Sequence, residues 1–538
     1  MSGLEKMSNI INKAKELISY FLQSNYSDKE CVVVKKEIES IVGESFELVN
    51  GSVVGYETLQ EALGTINEKE YFRKNKGVYY TPQDVVNFVI DNALKLHDDS
   101  LLSKDKCVLN SKKARIEDIC SKTVFDPTCG AGEFLLAFAN RMLSSMGSNS
   151  SKKQIFETIG NVFGNDINEE SIIIAKLRLL ICVVHHFGVE EIDGLSTILN
   201  SNFTTDDFVA DGTYYQPRFD FIVGNPPYVE DGKSGTTQKE KFGNIYCNVL
   251  NNAAKMLNRN GVLGFVVPLS YVSTPRMSRI RELMKARLAK QVILSFADRP
   301  DCLFTSVHQK LCIVLGKEGI GGDVFTSGYH YWYKQERSML FEKIDIIRNS
   351  EYTEGYVPKL SSIMEKSIFH KIQAQGDSLW EIINSGKEPV FLNMRACFWI
   401  KAFTRQHKGA EYKEFGCENK GMQNYAVMIL NSSLFWWYWV SVSDCWHITK
   451  KELMGFRVPC PIDYSKVETL VSYLENRLEL TKKYVGTKQI DYEYKHKECL
   501  NEIESVDRLV NKMFGLTEKE SEFIIAFSKR YRIGGGAE

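Results

Sequence analysis

Polar and apolar positions change their period several times along the chain. Up to about residue 75, charges interleave with Leu, Ile and Val at helical spacing, as in LEKMSNIINKAKELISYFLQ. This predicts a helical N-terminal segment over 1–75. A loop carrying Gly77 and Pro82 follows. A helix then starts near Pro82 or Asp84, with Val85, Val86, Val89, Ile90 and Ala93 on one face. From there short apolar runs alternate with amphipathic helices. KTVFDPTCGAGEFLLAFANRML reads as strand, glycine loop and helix, and NVFGNDINEESIIIAKLRLLICVVHHF as strand, acidic turn and helix. FDFIVGNPPY, NGVLGFVVPLSYVS, KQVILSFADR and KLCIVLGK each add a strand. Strands alternating with helices predict an α/β fold built on a parallel, doubly wound sheet. Ligands of such a sheet sit at the carboxyl ends of its strands.

After about Lys317 the pattern changes. GIGGDVFTSGYHYWYK is rich in glycine and aromatics, and short strand-like pieces run on to about Pro461. The tail returns to helical spacing, with VETLVSYLENRLELTKK and ECLNEIESVDRLVNKMF read as paired helices. These shifts divide the chain into 1–75, a sheet domain at 76–325, an α+β domain at 326–462 and a helical segment at 463–538. A length of 538 residues agrees with two or three domains.

Composition narrows the class. Hydrophobic content is 43% and charged content 25%, as in soluble globular proteins. No apolar run is long enough to cross a bilayer, and the N-terminus lacks the apolar core of a secretory signal, so a cytoplasmic protein is expected. Thirteen cysteines are scattered singly without a C-x-x-C pair. That spacing fits reduced thiols and argues against a zinc site; no metal is expected. A net charge of −1 leaves room for a local basic face but does not advertise one.

Three short stretches carry candidate chemistry. In FDPTCGAGEF an aspartate, Asp126, ends a strand, and Gly130 and Gly132 precede a helix. Glycines there let the backbone approach a ligand, although the dinucleotide fingerprint G-x-G-x-x-G is absent. In FGNDINEES, Asp166 ends the next strand, where a carboxylate can accept two ribose hydroxyls; capping the following helix, by Asp166 or Asn168, is the alternative. Together the two turns fit a nucleoside with an amino-acid-like tail, the shape of S-adenosyl-L-methionine. In NPPY, Asn225, Pro226, Pro227 and Tyr228 end an apolar strand. The prolines fix two φ angles and remove two donors. The Asn225 amide oxygen and the Pro226 carbonyl are two acceptors for the two N–H donors of a planar exocyclic amine, and Tyr228 offers a face for its ring. Holding the amine this way would draw its nitrogen toward tetrahedral geometry and free its lone pair. Cys129 reads as a small packing residue, and His185 and His186 as structural.

In this order and context the stretches resemble the gamma-type DNA adenine-N6 methyltransferases, over about residues 76–317. GVYYTP resembles the family's cofactor-binding segment, FDPTCGAGEFL its main cofactor motif, and NPPY its catalytic motif. The resemblance implies an S-adenosyl-L-methionine-dependent, Rossmann-like domain. It assigns Tyr79, Thr81, Asp126, Pro127, Gly130, Gly132, Asp166, Ile167, Asn202 and Phe203 to the cofactor. Phe304, in RPDCLFTSVHQKLCIVL, would face the target base opposite Tyr228. Double-stranded DNA is the implied partner, with the target adenine rotated out of the stack. The remainder resembles, more loosely, the recognition domains of the same family, and in NMRACFWIKAFTR the residues Arg395, Lys401 and Arg405 are candidates for phosphates or guanine edges. A solvated face around buried aromatics is the alternative there, and the tryptophans of LFWWYWV are expected in the core. Alternatives for the whole are a modification subunit needing a nuclease or specificity partner, and an amino-methyltransferase of RNA or protein. No Asp…Glu-x-Lys cluster occurs in 1–75, so no DNA cleavage by this chain is expected.

Overall fold

The computed structural model describes residues 3–49, 51–66, 80–102, 106–114, 118–147, 149–210, 218–235, 240–304, 308–353, 355–460 and 464–534. Its centre is a sheet of ten strands: β1 (Lys106–Leu109), β2 (Val124–Asp126), β3 (Val162–Asn165), β4 (Phe203–Thr204), β5 (Phe219–Gly224), β6 (Leu257–Pro268), β7 (Leu288–Phe296), β8 (Leu311–Glu318), β9 (Asp323–His330) and β10 (Ile344–Arg348). Their order is β1-β10-β9-β7-β8-β6-β5-β2-β3-β4. The strands β4-β3-β2-β5-β6 run parallel. Residues 262–268 of β6 and 311–317 of β8 are buried, as central strands covered on both faces must be. The helix Gln83–His97 packs on β6 and β8 and buries Val85, Val86, Val89, Ile90 and Ala93, the predicted face.

Two features depart from a wholly parallel sheet of 76–325. β8 lies between β6 and β7 and is antiparallel to both. The 297–310 connection carries no crossover helix among the described residues, so the chain re-enters the sheet from the end at which it left. β9 then pairs with β7, and β10 joins β9 to the edge strand β1. The expected boundary at 325/326 therefore cuts through β9, because the glycines before it form a turn rather than a linker.

The N-terminal segment is helical over Gly3–Asn25, Cys31–Val42 and Tyr56–Thr65. It lies against the helices Glu169–Phe187 and Leu195–Asn202. Buried Glu37 fastens it there by accepting the Gly194 and Ser196 N–H groups at 2.9 and 2.7 Å. Beyond the large sheet, three strands pair in the order β12 (Ala402–Phe403), β11 (Glu388–Asn393), β13 (Tyr412–Cys417). LFWWYWV forms the buried helix Ser433–Val442, in which Trp436 and Trp439 donate their indole N–H groups to the Cys397 and His447 carbonyls at 2.9 and 3.2 Å. The tail helices Tyr464–Thr481 and Leu500–Met513 pack on each other. Among the described residues no helix is long and apolar enough to cross a membrane.

Candidate active site

The carboxyl ends of β2, β3 and β5 bring the three stretches together. β2 lies between β3 and β5, with Phe125 paired to Ile222 and Asp126 paired to Gly164. Asp126 is 1% exposed and accepts the Thr128 N–H at 3.0 Å. Burial, with the Asp166 carboxylate adding to it, holds its pKa well above the usual carboxylate value. A Cβ at Gly224 would stand 2.6 Å from the Asp126 carboxylate oxygen. Glycine before Asn225 is therefore what lets the two motifs lie side by side.

The glycine loop is tightly built. Gly130 and Gly132 have φ of 52° and 85°, left-handed values that other residues adopt at a cost. A Cβ at Gly132 would meet that of Ala175 at 3.0 Å, so the loop presses on the helix Glu169–Phe187. A Cβ at Gly130 would meet nothing within 4 Å, which leaves open space above the loop. Cys129 is buried, and its thiol pKa is pushed well above normal by burial first and then by Asp126 and Asp166. It is a packing residue, not a nucleophile.

Asp166 is shared between two loops. One carboxylate oxygen accepts the Gly130 N–H at 2.9 Å and the other the Asn168 N–H at 2.9 Å. The cap of the following helix is Asn168, whose side chain accepts the Ser171 N–H at 3.3 Å. Ile167 is 59% exposed, an apolar side chain left uncovered beside this acid. The fit to a nucleoside with a charged tail is thus good: open space over Gly130, a buried acid at one strand end, and an acid beside an uncovered apolar residue at the next. Asn202 sits at a helix end and donates its amide N–H groups to the Gly160 and Val162 carbonyls at 2.9 and 3.2 Å, while Phe203 lies over Gly164.

At the Asn-Pro-Pro-Tyr turn, the Asn225 amide N–H donates to Thr81 Oγ1 at 3.0 Å. Thr81 is 4% exposed, and it steers Asn225. The Asn225 Oδ1 atom accepts the Tyr228 hydroxyl. That hydroxyl is also 3.0 Å from the Val266 carbonyl in β6. With one proton and two acceptors, Tyr228 can transfer its hydrogen bond to Val266 and release Asn225 Oδ1 to another donor. Pro226 is buried, and Pro227 and Tyr228 are half-buried.

Not every candidate joins this cluster. Tyr79 lies outside the described residues. Phe304 is 1% exposed and packed in the core, so it offers no open face opposite Tyr228. Lys401 is half-buried, and burial lowers its pKa, so it does not belong to an open basic face. Arg405 is exposed but donates to Asn476 at 2.9 Å and lies 3.7 Å from Glu475. Arg395 is exposed, with its guanidinium 5.1 Å from the Trp446 ring centroid. Two supporting residues escape a motif reading. Buried Asn165 donates to the Pro127 and Asp206 carbonyls, both at 3.0 Å, and accepts the Thr204 hydroxyl at 2.8 Å. Arg178, 2% exposed, donates to the Ala131 carbonyl at 2.8 Å, to Glu133 at 2.6 Å and to Gln60 at 3.0 Å. His185 stacks on Tyr56 at 3.8 Å and His186 reaches Asn140 at 3.0 Å; both are structural.

Comparison with known proteins bears on this arrangement. Residues 160–301, which include Asp166 and the Asn-Pro-Pro-Tyr turn, match the family described as Eco57I restriction-modification methylase. The type II methyltransferase M.VspI of Vibrio sp. (strain 343) is 24% identical over 260 residues, which cover 46% of this chain and 50% of that protein. The adenine-specific methyltransferase PglX of Streptomyces coelicolor is 23% identical over 257 residues, covering 40% of this chain and 19% of that one. Over this region the chain is similar to restriction-modification methylases. It spans about half the length of the first of these relatives and less than a fifth of the second. Among solved structures, the type IIL restriction-modification enzyme MmeI in complex with DNA aligns over 98% of this chain and 94% of that one, with 11% identity and a TM-score of 0.49. Whatever the site binds, Thr81, Asn165 and Arg178 brace the residues at the strand ends.

Proposed function

We propose that the chain transfers a methyl group from S-adenosyl-L-methionine to N6 of an adenine rotated out of duplex DNA, in a restriction-modification or related defence setting. The observation that carries this reading is the Asn225 carboxamide. Thr81 takes its N–H, its oxygen is left as an acceptor that Tyr228 can vacate, and it stands one strand away from Asp126. The methylase family matched by residues 160–301 and the names of the relatives support the substrate.

The residues that would hold the cofactor are Asp126, Pro127, Gly130 and Gly132 at the glycine loop, Asp166 and Ile167 at the acidic turn, and Asn202 and Phe203 beyond. When bound, the cofactor supplies an electrophilic methyl group on sulfur. The chain's own contribution is positioning. Asn225 Oδ1 and the Pro226 carbonyl would accept the two N6–H bonds, localising the nitrogen lone pair toward the methyl. Tyr228 would support the ring. Such placement converts an encounter of two molecules into a displacement within one complex. Extruding the base costs a few kcal/mol, offset by stacking and hydrogen bonds in the pocket.

The test is methyl transfer from labelled S-adenosyl-L-methionine to mixed-sequence duplex DNA, followed by digestion and identification of the modified nucleoside. N6-methyladenine is expected with the wild-type chain. Asn225→Ala is expected to abolish it while cofactor affinity stays within about threefold, since an amide hydrogen bond to the cofactor would be worth more. Label appearing only in RNA or protein would sink the DNA reading. Label in DNA only after adding a partner extract would assign the chain to a modification subunit.

A further inference from the structure

All seven tryptophans lie among the described residues, and of these only Trp446 is exposed, at 41%. Its position is imposed by a braced turn. The preceding Cys445 has φ of 56°, left-handed and costly for a residue other than glycine. Ser443 Oγ accepts the Cys445 N–H at 2.9 Å, and Asp444 accepts that of Trp446 at 3.0 Å. From below, Lys359 donates to the Ser443 carbonyl at 2.7 Å and Lys451 to that of Val442 at 2.9 Å. On the far side Ile448 N–H reaches the Met394 carbonyl at 2.7 Å. A large apolar ring is thus held out toward water by backbone that has little freedom to fold it away.

Its neighbours are cations. Lys310 Nζ lies 4.3 Å and the Arg395 guanidinium 5.1 Å from the ring centroid. Lys310 is also 3.6 Å from the Asp298 carboxylate at the end of β7. The Lys310 carbonyl accepts the Leu269 N–H at 2.9 Å, just past the end of β6. Val266, whose carbonyl takes the Tyr228 hydroxyl, lies two residues back from Pro268 on that strand, roughly 7 Å. The ring therefore stands at the same end of the strands as the Asn225 turn, between Lys310 just before β8 and Arg395 just after β11.

We propose that Trp446, with Arg395, meets the duplex at the mouth of the active site: the ring stacks on a base uncovered when the adenine leaves, and Arg395 takes a flanking phosphate. This rests on the reading of the chain as a methyltransferase of duplex DNA. Removing one base exposes faces of its neighbours, and an indole covers such a face whatever the sequence. Arg395 would exchange the ring for phosphate oxygens, which complement it in charge, while Lys310, 13% exposed and paired with buried Asp298, stays beneath the ring. Because the turn is already rigid, little ordering is needed on binding.

The experiment compares wild type, Trp446→Ala, Trp446→Phe and Arg395→Ala in the full chain. Each is assayed for kcat and KM on a duplex with a matched target adenine and on one mismatched there, with cofactor affinity measured alongside. On the matched duplex Trp446→Ala should lose roughly 5- to 100-fold in kcat/KM, with cofactor affinity unchanged. Trp446→Phe should recover most of that, and the loss should shrink on the mismatched duplex, where extrusion is easier. Arg395→Ala should raise KM for DNA and flatten its salt dependence. Wild-type kcat/KM for Trp446→Ala on the matched duplex overturns the inference alone. Equal losses by Trp446→Ala on both duplexes, with Trp446→Phe no better, also overturn it. A wild-type chain that methylates no DNA removes the underlying reading, and this inference with it.

Discussion

Asn225 and Asp126 carry most of what can be tested one residue at a time. The Thr81 hydroxyl is an acceptor for the Asn225 amide, so Thr81→Val keeps the shape and removes the restraint. A loss of about 3- to 10-fold in kcat is expected, the worth of one neutral hydrogen bond. If the cofactor KM rises instead while kcat holds, Thr81 serves the cofactor and not Asn225; Thr81→Ser should restore the wild-type values in either case. Asp126 has a raised pKa from burial, so its folded form holds a proton at pH values where the unfolded chain has lost it. Its contribution to stability is full below the ordinary aspartate pKa near 4 and falls as pH rises from there. Asp126→Asn is therefore expected to melt higher than wild type at pH 8, with the advantage shrinking toward pH 4, as thermal scans across that range would show. The same variant should bind S-adenosyl-L-methionine more weakly.

Among the elements, the junction of three helices around Arg178 deserves a direct test. Its guanidinium ties Gln60 of the helix Tyr56–Thr65, Glu133 at the start of the helix Glu133–Ser145 and the Ala131 carbonyl of the glycine loop into one buried network. Arg178→Ala leaves Glu133 buried and unpaired, and should cost about 3–5 kcal/mol in urea denaturation. Exchanging both, Glu133→Leu with Arg178→Met, should return much of the stability without returning cofactor affinity, because the Ala131 carbonyl still lacks its donor. No sequence pattern announces this residue. In AKLRLLICVV an arginine on a helix reads as a surface charge, and its partners come from positions 60 and 133. By contrast the strand–loop–helix of FDPTCGAGEF and the Asn-Pro-Pro-Tyr turn were legible, because glycine and proline fix backbone geometry within a few residues. Partner choices made across the sheet, such as Thr81 with Asn225, or β8 running against its neighbours, depend on contacts that periodicity does not encode.

For the whole molecule, the large sheet is closed by strands from distant parts of the chain. Lys106–Leu109 forms the edge strand β1 beside β10, with Cys107 paired to Ile346. A chain ending at 325 would keep β1 through β8 but lose β10 and most of β9, leaving β1 without its neighbour and one side of β7 unpaired. Unpaired strand edges recruit other chains. A fragment ending at 325 should therefore be found mostly in aggregates on expression, whereas one ending near 360, past β10, should give more soluble material. The distance between Cys107 and Ile346 along the chain has a further consequence for synthesis. Residues emerge in order, and β1 waits for more than two hundred of them before its neighbour exists. Pairings of such long separation are slow to form. During that interval the glycine loop, the acidic turn and the Asn-Pro-Pro-Tyr turn have all left the ribosome, so a nascent chain can assemble its chemical centre while one margin of its sheet is still open to chaperones or to neighbouring chains.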